Sequence, residues 1–316
     1  MKKKLTKTMT ILLAIALTMT AMMAMAACGN APASSPEPEP PTASTSEPEP
    51  TPTSAPAEET PAAELSGDVT QAGSTSVQPL SDELADAFMD MHSKVVIDIQ
   101  GGGSGQGVKA VDENLVDFGA LSRELKDEEK PIAKQEWVIA KDGIAIVVNK
   151  NVDVDDLTKD QIKGIFTGEI TNWSEVGGAA GKIEVVAREE GSGTRDAFNE
   201  LTGVLGKDAS GENIDNTVET ALIQGSTGAV VTTVGATENS IGYISLGSLN
   251  DSVNALKVEG VAPSSATVLD GSYVISRPFI LITGRDLSEA ASAFIDFIMG
   301  PEGQAIVESS GFIPVA

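Results

Sequence analysis

The chain has 316 residues and a formal net charge of −25 at neutral pH, from 46 acidic and 21 basic side chains. A field of that sign excludes nucleic acid and anionic membrane surfaces as partners. One histidine and one cysteine argue against a transition-metal site, leave no cofactor implied, and permit at most loose calcium binding by carboxylates.

The chain opens "MKKKLTKTMTILLAIALTMTAMMAMAAC": Lys2, Lys3, Lys4 and Lys7, then an apolar run from Ile11 to Ala27. Residues 1–27 are therefore expected to be an export signal. Ala26 and Ala27 stand before Cys28, and the segment resembles a bacterial lipoprotein box with Met25 where Leu is usual. The resemblance implies lipid on Cys28, which leaves the mature chain no thiol for a disulfide. From 28 to 66 the chain is almost wholly Ala, Pro, Ser, Thr and Glu, too poor in large apolar groups to offset the entropy of ordering. It is expected to be a disordered tether, with a proline-rich reach on the order of 100 Å.

From residue 67 the pattern alternates between short strands and helices. "GDVTQAG" (67–73) reads as a strand, and "STSVQPLSDELADAFMDM" follows with Val77, Leu80, Leu84 and Phe88 on one helical face. Pro79 suits only the first turn of that helix. The strand "KVVIDIQ" (94–100) runs into "GGGSGQG", after which Val108, Val111 and Leu115 recur at helical spacing. In "VDFGALSRELKDEE" (116–129), Ser122 precedes an acidic stretch that suits a helix entrance. In "KIEVVAREEGSGTRDAFNEL", Ile183, Val185 and Val186 form a buried strand, and Ala197, Phe198 and Leu201 the inner face of the next helix. The alternation predicts an α/β fold with a mainly parallel sheet. Ligands in such sheets sit beyond the carboxyl ends of the strands.

Each of these four junctions offers helix N–H groups and hydroxyls, a combination that suits an anion. Oriented neutral dipoles can hold a dianion if enough of them converge, and Arg188 supplies a formal positive charge. Any one junction taken singly is an ordinary turn and N-cap; four of them, with an arginine beside the most compact, point to a shared site. Other motifs fail. "GGGSGQGVK" has Val108 where a phosphate-binding loop needs Lys, and Gln106 breaks the G-x-S-x-G pattern around Ser104. His92, in a turn, gives weak support to a Ser-His-Asp triad.

At these junctions the chain resembles the substrate-binding lipoproteins of phosphate ABC importers, which have the type II periplasmic-binding-protein fold. The resemblance runs from about Gly67 to Ala316 and is carried by "AGSTSVQPL", "GGGSGQGVKAV", "DFGALSREL", "IFTGEITNWSEVGG", "REEGSGTRDAF", "IGYISLG", "SRPFILIT" and "FIDFIMGPEGQAIV". It implies two lobes, each a mainly parallel sheet flanked by helices, with inorganic phosphate in the cleft. Lobe one would be 67–145 plus 245–316 and lobe two 146–244, with crossings at 142–150 and 239–247. It places Ser74, Thr75 and Ser76 in the first ligand loop, Ser104 in the second and Ser122 in the third. On the other lobe it points to Arg188, Ser192, Gly193 and Thr194, with Glu190 orienting Arg188.

Many family members carry aspartate at the position of Ser122, where the carboxylate accepts the proton of monohydrogen phosphate and repels sulfate. Glu124, Glu190 and Asp196 are the candidates for replacing it here. The resemblance implies a lipid-anchored, monomeric receptor on the outer face of the cytoplasmic membrane. It would deliver phosphate to the membrane permease subunits of the importer, without chemistry. Rival readings are a receptor for sulfate, molybdate or tungstate, a phosphoester hydrolase using Ser192 or Ser104, and an adhesin that has lost its ligand.

Overall fold

The computed structural model describes residues 64–315. The export signal, Cys28 and the tether up to residue 63 lie outside the described residues. In chain order the elements are β1 (Ser66–Gly73), α1 (Gln78–Met91), β2 (Lys94–Gly101), α2 (Ser104–Asp112), β3 (Phe118–Leu121) and the long β4 (Gln135–Val148). Then come β5 (Asp156–Leu157), α3 (Lys159–Thr167), β6 (Glu184–Arg188), α4 (Gly193–Thr202), β7 (Leu205–Lys207), β8 (Asn213–Asp215) and β9 (Leu222–Gln224). They are followed by α5 (Thr227–Ala236), β10 (Ser240–Ser245), β11 (Asn254–Ala255), β12 (Lys257–Val258) and α6 (Ser265–Leu269). The chain ends with β13 (Ser276–Thr283), α7 (Glu289–Met299) and α8 (Pro301–Ser309).

The main sheet runs β2-β1-β3-β13-β4-β10-β6-β9, with β11 added beside β4. It is mixed. β1 pairs in parallel with β2 and β3, β6 in parallel with β9 and β10, and both β13 and β10 run antiparallel to β4. The long strand β4 changes partner along its length. Residues 135–143 pair with β13 and residues 144–148 with β10, so the sheet passes from one lobe to the other at Asp142–Ile144.

Each lobe has its own apolar core. In lobe one Val69, Leu80, Leu84, Phe88, Phe118, Phe279 and Phe294 pack together, with α1 laying the predicted face of Val77, Leu80, Leu84 and Phe88 on the sheet. In lobe two the core is Ile146, Leu157, Ile165, Phe166, Trp173, Phe198 and Tyr243, where the Phe198 and Tyr243 rings stack with centroids 4.0 Å apart. Local signals set the ends of α3: Thr158 and Gln161 form a capping box, and Gly168 closes the helix at a φ of 82°.

Three placements differ from the sequence reading. The stretch after Ser122 is no helix; residues 122–134 form turns, because Glu129 accepts the Lys126 amide and both ends of the Arg123 fork, while Leu125 and Ile132 anchor the loop on the cluster of Val108, Val111 and Ile280. Helix α2 stops before Leu115, which is exposed, because Asn114 turns left-handed at a φ of 56°. The chain also stays with lobe two well past residue 245. Leu256, Val258, Val268, Tyr273 and Ile275 sit in that lobe's core, and the return to lobe one comes at Ser276, where β13 begins. Their irregular spacing hides this burial from any periodic pattern.

Candidate functional site

The carboxyl ends of β1, β3 and β6 and the starts of α1, α2, α4 and α5 meet between the lobes. Ser74 and Ser76 follow β1, Ser104 opens α2, and Ser122 follows β3; all four are buried. Their hydroxyls are within reach of one another. Ser74 Oγ donates to Ser122 Oγ at 2.8 Å, Ser104 Oγ lies 3.4 Å from Ser122 Oγ and accepts the Ser122 amide at 3.1 Å. From lobe two, Thr194 Oγ1 lies 2.8 Å from Ser76 Oγ.

Lobe two comes close enough to demand a bare backbone. A Cβ on Gly193 would overlap Ser104 Oγ and stand 2.9 Å from Ser122 Oγ, so only glycine allows the first turn of α4 to face these serines. Gly105 N–H donates across the cleft to Gly191 O at 3.0 Å. Ser192, also buried, is the N-cap of α4 and accepts the Arg195 amide at 3.3 Å. Thr75 stands at the edge, its hydroxyl accepting the Thr227 amide at 3.3 Å.

Arg188, the last residue of β6, is 2 % exposed. Tyr243 Oη accepts its amide at 3.1 Å and Arg195 Nη1 donates to its carbonyl at 2.6 Å, so the backbone is pinned on both sides. Burial pushes the Tyr243 phenol well above its usual range, which keeps it neutral in this role. The carboxylate paired with Arg188 is Glu189, not Glu190: it accepts from Nε and Nη2, both at 2.7 Å. Glu190 is exposed on the turn. The strand ends at Arg188, so the turn swings the very next side chain back beside the guanidinium.

Thr227 was missed by the sequence reading. Its hydroxyl lies 2.8 Å from Ser76 Oγ and accepts from Arg188 Nη1 at 3.1 Å, so it joins the arginine to the lobe-one serines. The signal was present: "IQGSTGAVV" is a fifth strand-to-helix junction with paired hydroxyls, and Ser226 caps α5. The strand before it, β9, has only three residues, too few to show an alternating pattern.

Beneath Ser122 lies a second buried pair. Arg277 Nη1 donates to the Ser122 carbonyl at 3.2 Å, and its Nε and Nη2 reach Asp142 Oδ2 at 3.3 and 3.1 Å. Asp142 also accepts from Ser245 Oγ and the Leu246 amide. Burial pushes the Asp142 carboxyl up to about 6, with Arg277 and these hydrogen bonds pulling it back only in part. Among the described residues no group of three or more His, Cys, Asp or Glu is placed to hold a metal ion, and no helix is long and apolar enough to cross a membrane.

A PBP superfamily domain model matches residues 50–302. The chain is 34% identical over 268 residues to the phosphate-binding protein PstS of Bacillus subtilis, covering 83% of this chain and 84% of that one. It is 51% identical over 135 residues to phosphate-binding protein PstS 2 of Streptococcus pneumoniae, a match spanning about half the length of that relative (46%) and 43% of this chain. A crystal structure of a phosphate ABC transporter substrate-binding protein from Clostridium perfringens, with bound phosphate, superposes with a TM-score of 0.74 at 43% identity, over 79% of this chain and 100% of that one. An ABC-type phosphate transport receptor from Vibrio cholerae gives 0.65 at 34% identity, with 79% and 100% covered. With a family model across most of its length and a full-length relative above 30% identity, the chain belongs to the PBP superfamily and, within it, to the PstS phosphate-binding protein family.

Proposed function

We propose that this chain captures inorganic phosphate between its lobes and hands it, unchanged, to the membrane permease subunits of an ABC importer. The observation that carries the reading is the convergence of Ser74, Ser76, Ser104, Ser122, Thr194 and Thr227 hydroxyls, with the Gly193 turn, around the buried Arg188 guanidinium. A tetrahedral oxyanion would replace the bonds these hydroxyls make to one another and gain a charge-assisted one from Arg188. His92, the only histidine, caps the far end of α1 and gives Ser104 or Ser192 no base for hydrolysis. Export and a lipid on Cys28 would hold the receptor on the outer face of the cytoplasmic membrane as a monomer.

Calorimetry on protein stripped of bound anion should show saturable phosphate binding with a micromolar or tighter Kd. For a ligand of about five heavy atoms, about 1.5 kcal/mol per atom gives roughly 7.5 kcal/mol, near micromolar, and charge-assisted hydrogen bonds to a dianion exceed that figure. No heat and no competition at millimolar phosphate would sink the assignment. A preference for sulfate, molybdate or tungstate would assign the site to that anion instead.

Selectivity turns on Ser122. Glu124 and Glu190 are exposed, Asp196 faces Arg123 and Lys126, and Glu189 is occupied by Arg188. None of these four carboxylates hydrogen-bonds a hydroxyl of the cluster, so none is placed to accept the phosphate proton and reject sulfate. Ser122→Asp should therefore raise the phosphate-over-sulfate affinity ratio by about tenfold or more, some 1.4 kcal/mol, because an unpaired acceptor facing sulfate is costly. Competition binding with both anions checks this. A wild-type protein that already excludes sulfate by about a thousandfold would show that another acceptor exists.

A further inference from the structure

The loop that carries Ser122 and the helix that carries Gly193 and Thr194 meet a second time, outside the hydroxyl cluster, through charges. On lobe one, Arg123 is 6 % exposed and forks onto Glu129, with Nη1 to Oε2 at 2.6 Å and Nη2 to Oε1 at 2.7 Å. Lys126 follows in the same loop, its amide also bound by Glu129 at 3.0 Å. On lobe two, Asp196 lies in the first turn of α4. Its Oδ2 stands 2.9 Å from Arg123 Nε and 3.1 Å from Lys126 Nζ.

The geometry has the properties of a catch. Arg123, Lys126 and Glu129 sum to one positive charge and belong to one short loop, so the lobe-one side stays assembled whether or not the lobes touch. The Arg123 guanidinium is held charged: its hydrogen bonds to Glu129 and the charges of Glu129 and Asp196 outweigh its burial. Asp196 supplies the single opposing charge from the other lobe. Its neighbour Arg195 does not compete, being turned to Asp215 at 2.7 Å within lobe two. The Arg123–Asp196 contact is close but lies off the N–H direction, leaving both atoms without a true hydrogen bond. An attraction of this kind holds surfaces together without fixing one geometry.

We propose that Asp196, with Arg123 and Lys126, is an affinity-determining positioning group: an ion bridge that forms as the lobes close and holds the ligand loops of Ser122 and of Gly193–Thr194 together. It never touches the anion. The ligand part of this inference rests on the phosphate reading above, whereas the closure part does not. A ligand that enters an open cleft before the bridge forms should bind at an unchanged rate and leave more slowly, so the bridge acts on dissociation.

The test uses Asp196→Asn in the full chain, solubilised in detergent, with inorganic phosphate as the probe. Stopped-flow release should be about tenfold faster than in the wild type, some 1.4 kcal/mol, with the association rate changed by less than about twofold. Lys126→Met should speed release in the wild-type background and have little further effect in Asp196→Asn. The control Lys182→Gln, which breaks the exposed lobe-two pair with Glu184, should retain wild-type salt dependence of release, while Asp196→Asn loses part of it. Small-angle scattering of the phosphate-free protein gives a second, ligand-independent readout, in which Asp196→Asn should be the more open. Unchanged release together with unchanged scattering would overturn the bridge. If the wild type binds no phosphate, the phosphate reading fails, and the scattering comparison alone decides whether the bridge holds the lobes.

Discussion

Arg188→Ala should weaken phosphate binding by about 3 kcal/mol or more, a loss of more than a hundredfold in affinity, with little change in the circular dichroism of the fold. Two effects add. The variant loses the buried cation whose Nη1 reaches the hydroxyl cluster through Thr227, and a hydrogen bond to a charged group contributes about 1.5–3 kcal/mol. It also frees the Glu189 carboxylate, whose oxygens both face the guanidinium at 2.7 Å, to repel an incoming dianion. The second effect can be separated from the first: Arg188→Ala combined with Glu189→Gln should recover part of the affinity, whereas Glu190→Gln should recover none. Arg188→Lys should not substitute for arginine, because an ammonium cannot serve Glu189 and Thr227 from one planar fork. Calorimetry decides each case. Equal affinity in the wild type and Arg188→Ala would remove arginine from the site.

The second large effect is on stability, at the point where β4 changes partner. Asp142 and Arg277 face each other across β4 and β13 and are both buried. Arg277→Met should cost about 3–5 kcal/mol, since it strands a buried carboxylate, while Asp142→Asn with Arg277→Met should recover most of that loss. At about 2–4 °C per kcal/mol for a domain of this size, the single variant should melt roughly 10 °C lower. The pair also has a pH signature. The Asp142 carboxyl is raised from 3.8 to about 6 in the fold, chiefly by burial, so the folded state binds more protons than the unfolded state between those values. Its contribution to stability is then fully present below 3.8 and lost as pH rises through about 6. The double variant lacks this term, so it should gain on the wild type as pH is raised from about 4 to about 7. Denaturant melts of the two proteins at both ends of that range provide the check. A constant difference would mean that Asp142 titrates alike in both states.

The double variant also separates stability from function. It should fold, but it lacks the Arg277 donor to the Ser122 carbonyl, so any loss of phosphate affinity it shows belongs to the positioning of Ser122 and not to unfolding.

What the chain's own order of residues determined is local. The apolar face of α1, the strands β1, β2 and β6 and the glycine turn at Gly191–Gly193 could be read from spacing and residue type, while Ser74, Ser76, Ser104, Ser122 and Thr194 were singled out by the family resemblance of their loops. Such features depend on a few consecutive residues, whose propensities act over one or two turns. Tertiary structure decided the rest. Ser122 opens no helix, because its loop is held by Arg123 and Glu129; Glu189 rather than Glu190 pairs with Arg188, because the strand ends one residue earlier. Thr227 enters the cluster from a junction whose weight shows only when β9 is placed beside β6. Residues 249–275 join lobe two through scattered apolar contacts that no period announces. Asp196 meets Arg123 across the cleft although 73 positions separate them in the chain. Charges and hydroxyls carry no signal of their partners along a sequence; packing of the two cores brings them within reach, and only then does their chemistry become a site.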